Sequence, residues 1–93
     1  MIRVKLSRNV MVVEGHAGYD VEGKDVVCAA VSGMVQFAAY LVKRHGGSFI
    51  KEKGYLKIVS SGSEFEDSVI ETLVHALKDL ENRFPEHISV EVI

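Results

Sequence analysis

Apolar and polar residues alternate at the start of the chain. Ile2, Val4 and Leu6 interleave with Arg3, Lys5 and Ser7, the two-residue period of a half-buried strand. Arg8-Asn9 then reads as a tight turn and Val10 to Val13 as the returning strand. After a glycine-punctuated stretch the period changes: from Asp25 onward Val27, Val31, Met34, Val35, Ala38, Leu41 and Val42 share one helical stripe. Lys43, Arg44 and His45 fall in the last turn, where cations suit the helix dipole, and Gly46-Gly47 stops the helix. Ser48 to Glu52 and Tyr55 to Val59 predict a hairpin around Lys53-Gly54. Ser63 with Glu66 forms a capping-box pattern ahead of a second stripe of Phe65, Val69, Leu73, Ala76, Leu77, Leu80 and Phe84, which Pro85 ends. Ile88, Val90 and Val92 alternate as a last strand. The order is ββαββαβ. It predicts an α+β domain with two amphipathic helices on one face of a mainly antiparallel sheet.

At 93 residues this is one domain, 1–93, without internal repeat, linker or low-complexity segment. The hydrophobic share of 47% supports a core, and so small a domain gains from burying further apolar surface in a dimer. A net charge of -2 does not point to a polyanion partner, so direct nucleic-acid binding is not expected. Arg3, Lys5 and Arg8 read as a solvated edge of the first strand. Phe37 and Tyr40 read as core or dimer contacts. No apolar stretch approaches the ~20 residues of a membrane span, and the N-terminus lacks a signal-peptide block, so no membrane partner is expected. The single cysteine, Cys28, makes no internal disulfide; the expectation is a cytoplasmic chain with a reduced thiol.

That thiol is where chemistry gathers. With Asp25 as N-cap, Cys28 takes the third helical position, where backbone N–H groups and the positive dipole end favour thiolate. The same N–H groups suit an oxyanion on an attacked carbonyl. His16 follows the second strand through Gly15, so a strand end meets a helix start. The bland alternatives are a small buried apolar cysteine and zinc, for which Cys28, His16, Asp20 and Asp25 offer less sulfur and histidine than structural sites use. Ser32, one turn beyond Cys28, either returns its hydroxyl to the Cys28 carbonyl or supports the site. Asp25 either caps the helix or orients His16. Gly18 and Gly23 bound a loop, with Tyr19 and Asp20 inside it, that reads as a hinged lid or as plain surface. Four acids against one lysine between Glu14 and Asp25 predict a negative patch suited to a basic peptide. His75 and His87 lack companions at ligand spacing and read as structural or surface residues.

The string Gly15-His16-Ala17, followed by Gly23-x-Asp25-Val26-Val27-Cys28-Ala29-Ala30-x-Ser32, resembles the ribosomal-processing cysteine protease Prp family. The resemblance implies an endopeptidase that removes the N-terminal extension of a large-subunit ribosomal protein, number twenty-seven. It implies Cys28 as nucleophile and His16 as general base, with Gly15, Asp25 and Ser32 at further motif positions. It also implies a homodimer and a mobile loop beside the site; a Cys–His mechanism of this kind is expected to need no metal or organic cofactor. The rival readings are a non-catalytic ribosome-associated peptide-binding module and a thiol redox sensor; for the latter no resolving cysteine is present.

Overall fold

The computed structural model describes residues 1–21 and 24–93. The elements run β1 (Ile2–Ser7), β2 (Val10–Glu14), α1 (Val26–Arg44), β3 (Ser48–Glu52), β4 (Tyr55–Val59), α2 (Glu64–Arg83) and β5 (Ile88–Val92). This is the expected ββαββαβ order. The five strands form one sheet in the order β3-β4-β2-β1-β5. Three of its pairings are antiparallel, and β5 runs parallel to β1, with Ile2 opposite Ile88 and Val4 opposite Val90. The sheet is therefore mixed.

Both helices lie on the same side of the sheet, α1 over β3 and β4 and α2 beside β5. Alternation decides which strand residues they cover: Ile2, Val4, Met11, Val13, Leu56, Ile58 and Ile88 are all buried. From the helices, Val27, Val31, Val35, Ala38, Ala39 and Val42 meet Ile70, Leu73, Val74 and Leu77 across this layer. The opposite face of the sheet is open.

Several details differ from the expectation. Because β1 lies between β2 and β5, Arg3 and Lys5 are not on a sheet edge. They stand exposed on the open face of an interior strand, where alternation alone accounts for them. Phe65 sits too early in α2 for the buried stripe; it is 45% exposed and stacks on His45 at 3.9 Å between ring centroids. Phe37 and Tyr40 are not core residues: they are 68% and 59% exposed, and Tyr40 makes a T-shaped pair with the Phe49 ring. With 19 residues and a mean hydropathy of 1.6 over its most apolar 18-residue window, α1 also has the length and composition of a membrane span, contrary to the expectation. One side of it is nonetheless committed to the sheet.

The turn after α1 is tightly held. Gly46 adopts φ +111, and Gly47 donates its N–H to the Val42 carbonyl at 3.0 Å. A Cβ on Gly47 would collide with Val42, the Val59 carbonyl and the Glu66 carboxylate, so the helix returns into β3 only through glycine. Glu66 is fully buried at the start of α2. It accepts from the Ser61 N–H at 3.0 Å, the Ser63 hydroxyl at 2.5 Å and the Ser61 hydroxyl. The Ser63 oxygen in turn accepts from the Glu66 N–H at 3.2 Å, which closes the predicted cap. These donors, the Ser61 hydroxyl foremost, hold the Glu66 carboxyl down at about 2.

Candidate active site

A cavity of about 600 Å³ opens where the end of β2 meets the start of α1, with the β3–β4 turn as its far wall. Cys28 and His16 both line it, with Gly15, Gly18, Asp20, Asp25 and Ser32. Residues twelve positions apart thus face one space. Cys28 is partly buried and its thiol is free. The His16 imidazole is exposed and rests beside the β3–β4 turn: an added Cβ on Gly54 would lie 3.2 Å from Nε2. Among the described residues the His16 ring has no hydrogen-bond partner, so it is not locked to the sulfur. Nor, among those residues, do three His, Cys, Asp or Glu side chains gather closely enough to hold a metal ion.

Gly15 carries the sharp turn ahead of the histidine. It adopts φ +95, and a Cβ there would strike the Met1 carbonyl oxygen. Its N–H donates to the Gly54 carbonyl at 2.9 Å, which pins the strand end to the β3–β4 turn.

Asp25 settles between its two expected roles. Its Oδ1 accepts from the Cys28 N–H at 2.9 Å, and its Oδ2 accepts from the Tyr19 N–H at 3.0 Å and the Asp20 N–H at 3.4 Å. Both oxygens face backbone amides rather than the His16 ring, so Asp25 is a cap and a loop clasp. The Cys28 amide foremost, joined by those of Asp20, Tyr19 and Val27, holds this carboxyl below its ordinary value against the opposing effect of desolvation. The expected cap is therefore formed, with the Cys28 N–H taken up by the Asp25 carboxylate at the start of α1.

Ser32 does not return its hydroxyl to the Cys28 carbonyl. Its oxygen accepts from Gln36 Nε2 at 2.5 Å, while Gln36 Oε1 accepts from Lys51 Nζ at 2.7 Å. This chain bridges α1 and β3 along the cavity wall. Lysine only donates, which orients the glutamine amide and leaves the Ser32 proton free to donate elsewhere.

The loop is only partly as expected. Gly18 adopts φ +66 and lines the cavity with Asp20. Tyr19 turns away from the cavity and packs edge-on against Phe84 and His87, at 5.4 and 5.3 Å between ring centroids. Tyr19 thus anchors its end of the loop on Phe84 and His87. The second hinge of the expected lid, Gly23, lies outside the described residues. Among the described residues the cavity walls carry Lys51 and Lys53 as well as Asp20, Asp25 and Glu52; Glu22, one of the four acids behind the expected negative patch, lies outside the described residues. Gln36 and Lys51 escaped the sequence reading because their spacing matches no local motif; only the helix–strand packing brings them together.

The sequence profile of the family described as Cysteine protease Prp matches residues 1–89. The ribosomal processing cysteine protease Prp of Mycoplasma genitalium is 49% identical over 35 residues, 38% of this chain and 35% of that protein's length. The match therefore spans about a third of that relative. Among solved structures, the essential ribosomal processing protease Prp of S. aureus, with a covalently linked product peptide, superposes with a TM-score of 0.92 over 100% of both chains at 19% identity. The same S. aureus protease with a substrate peptide gives 0.85 at 18% identity, again over 100% of both chains. A Streptococcus mutans protein gives 0.74 at 21% identity over 99% of this chain and 91% of that one.

Proposed function

Because this chain belongs to the cysteine protease Prp family, we propose that it is a cysteine endopeptidase acting on the N-terminal extension of large-subunit ribosomal protein number twenty-seven. One observation carries the reading: Cys28 at a helix start and His16 at a strand end line the same open cavity. An extended peptide laid in that cavity brings its scissile carbonyl to the sulfur. The thiolate attacks the carbonyl carbon and a carbon–sulfur bond forms. The imidazolium of His16 gives its proton to the departing amine as the carbon–nitrogen bond breaks. Water then attacks the thioester, His16 takes a proton from it, and the acid leaves with Cys28 again a thiolate. Every atom is supplied by peptide, water and these two side chains, so the cycle needs no metal or organic cofactor.

The His16 ring, with no hydrogen-bond partner among the described residues and beside Gly54, swings toward the sulfur when a peptide fills the cavity. Support for a peptide substrate comes from the S. aureus protease, solved with a substrate peptide and with a covalently linked product peptide. A cytoplasmic homodimer completes the proposal. Large exposed apolar side chains on α1 and β3 (Val26 61%, Phe37 68%, Tyr40 59%, Ile50 55%) support the dimer.

The test is incubation with a peptide spanning the extension, followed by its mass. Two fragments from the parent protein, and none from Cys28→Ala or His16→Ala, are expected. An intact peptide that binds would favour the non-catalytic module. Reversible oxidation of Cys28 without any cleavage would favour the redox sensor.

A further inference from the structure

We propose that His87, 71 residues beyond His16 and outside the cavity, is a positioning residue that holds the His16 segment in register with the Cys28 helix; the proposal rests on His16 being the general base. The segment is clamped on both sides of the histidine. Upstream, the Gly15 N–H donates to the Gly54 carbonyl at 2.9 Å and the Met1 carbonyl fills the space a side chain would need. Downstream, Ala17 is 2% exposed and its carbonyl faces His87 Nδ1 at 3.0 Å. A carbonyl oxygen only accepts, so Nδ1 carries the proton and donates. Without that donor the Ala17 carbonyl would be a buried acceptor with no partner among the described residues, which favours a shift of the segment toward water.

His87 is itself firmly seated. Its N–H donates to the Phe84 carbonyl at 2.9 Å, and its own carbonyl accepts from the Ile2 N–H at 2.9 Å, where β1 and β5 begin their parallel pairing. The Tyr19 ring covers the imidazole at 84° between planes. Tyr19 then reaches the other half of the site, since its N–H is bound by the Asp25 carboxylate that caps the helix of Cys28. One half-buried imidazole thus touches the residue after His16 directly and the cap of α1 through one ring. Reactions of this kind are sensitive to placement, and a 1 Å error costs up to about 100-fold in rate.

Geometry supplies the discriminating variants. The Asn side-chain amide nitrogen coincides in reach with Nδ1, whereas that of Gln coincides with Nε2. Phe keeps the ring beneath Tyr19 but removes the donor. Cleavage of the extension peptide by the full-length chain should fall about tenfold or more in kcat for His87→Phe, with KM within about twofold. His87→Asn should recover most of that loss and His87→Gln should not, whatever their order in thermal stability. A second readout is independent of cleavage: the His16 ring resonances should shift or broaden in His87→Phe and return in His87→Asn. If the parent protein cleaves nothing, the proposed function falls, and the His16 resonances still decide whether the latch exists. Parental kcat and unchanged His16 resonances in His87→Phe would overturn the proposal. So would activity that follows melting temperature alone, with Asn no better than Gln. Should His87→Phe not fold, the Asn–Gln comparison settles the question.

Discussion

The two helices begin with the same geometry and different contents. Each has an oxygen-bearing N-cap, Asp25 or Ser63, that accepts from the backbone of the third helical residue. In α2 that residue is Glu66, fully buried and surrounded by donors from Ser61 and Ser63. In α1 it is Cys28, partly buried with a free thiol on the wall of a cavity. Among the described residues no buried side-chain polar atom lacks a partner, so the enclosed start of α2 contributes rigidity. The start of α1 satisfies its backbone through Asp25 but leaves its third side chain open to a visitor. Under the proposed mechanism, stability and reactivity fall to equivalent positions on the two helices, and the caps keep both helix starts from fraying.

Substitutions should separate the two helix starts in graded ways. Removing the sulfur in Cys28→Ala should lower peptide cleavage by at least about a thousandfold while the melting temperature barely moves, with His16→Ala close behind. Asp25→Ala should come next, slowing turnover by up to about 100-fold as the helix start and the loop at Tyr19 lose their common clasp; initial-rate measurements beside circular dichroism would separate this from unfolding. At the other helix the effect should appear in stability instead. Gly47→Ala forces a methyl against the Glu66 carboxylate and the Val59 carbonyl, and should cost about 1–3 kcal/mol in denaturant unfolding.

Glu66→Gln should give a pH-dependent loss. The folded-state value of about 2 lies below the ordinary value of 4.5, so ionised Glu66 stabilises the fold fully above about pH 4.5, and that contribution fades as pH falls toward 2. Melting curves of parent and variant should therefore be well separated at pH 7 and converge on acidification. The smallest effect is expected from Ser32→Ala, which removes the acceptor for Gln36 on an exposed wall; kcat/KM should fall no more than about tenfold, with little change in melting temperature.

Local periodicity made the elements legible: all seven appear in the predicted order, and the caps at Asp25 and Ser63 sit where the chemistry of their side chains required. Features that depend on remote pairing were not legible. The parallel alignment of β5 on β1 joins the two ends of the chain, and no spacing encodes it. Phe37, Tyr40 and Phe65 are apolar, but apolarity alone does not say which side of a helix meets the sheet. At the site, the string from Gly15 to Ser32 pointed to a cysteine and a histidine that line one cavity and to the aspartate that caps α1. It did not reveal that Tyr19 would anchor on Phe84 and His87, or that Lys51 would orient Gln36 toward Ser32. Those contacts come from β3, α2 and the approach to β5, which the motif does not reach.

The proposed chemistry stands or falls on Cys28 forming a bond to the peptide carbonyl at this open helix start. Intact-protein mass spectrometry on a reaction quenched in acid looks for that bond itself. A thioester adduct is expected, weighing the acyl half of the peptide less the sulfhydryl hydrogen it replaces, and mapped by digestion to Cys28. Peptide cleaved at the parental rate by Cys28→Ala, or an adduct on any other residue, would refute the mechanism.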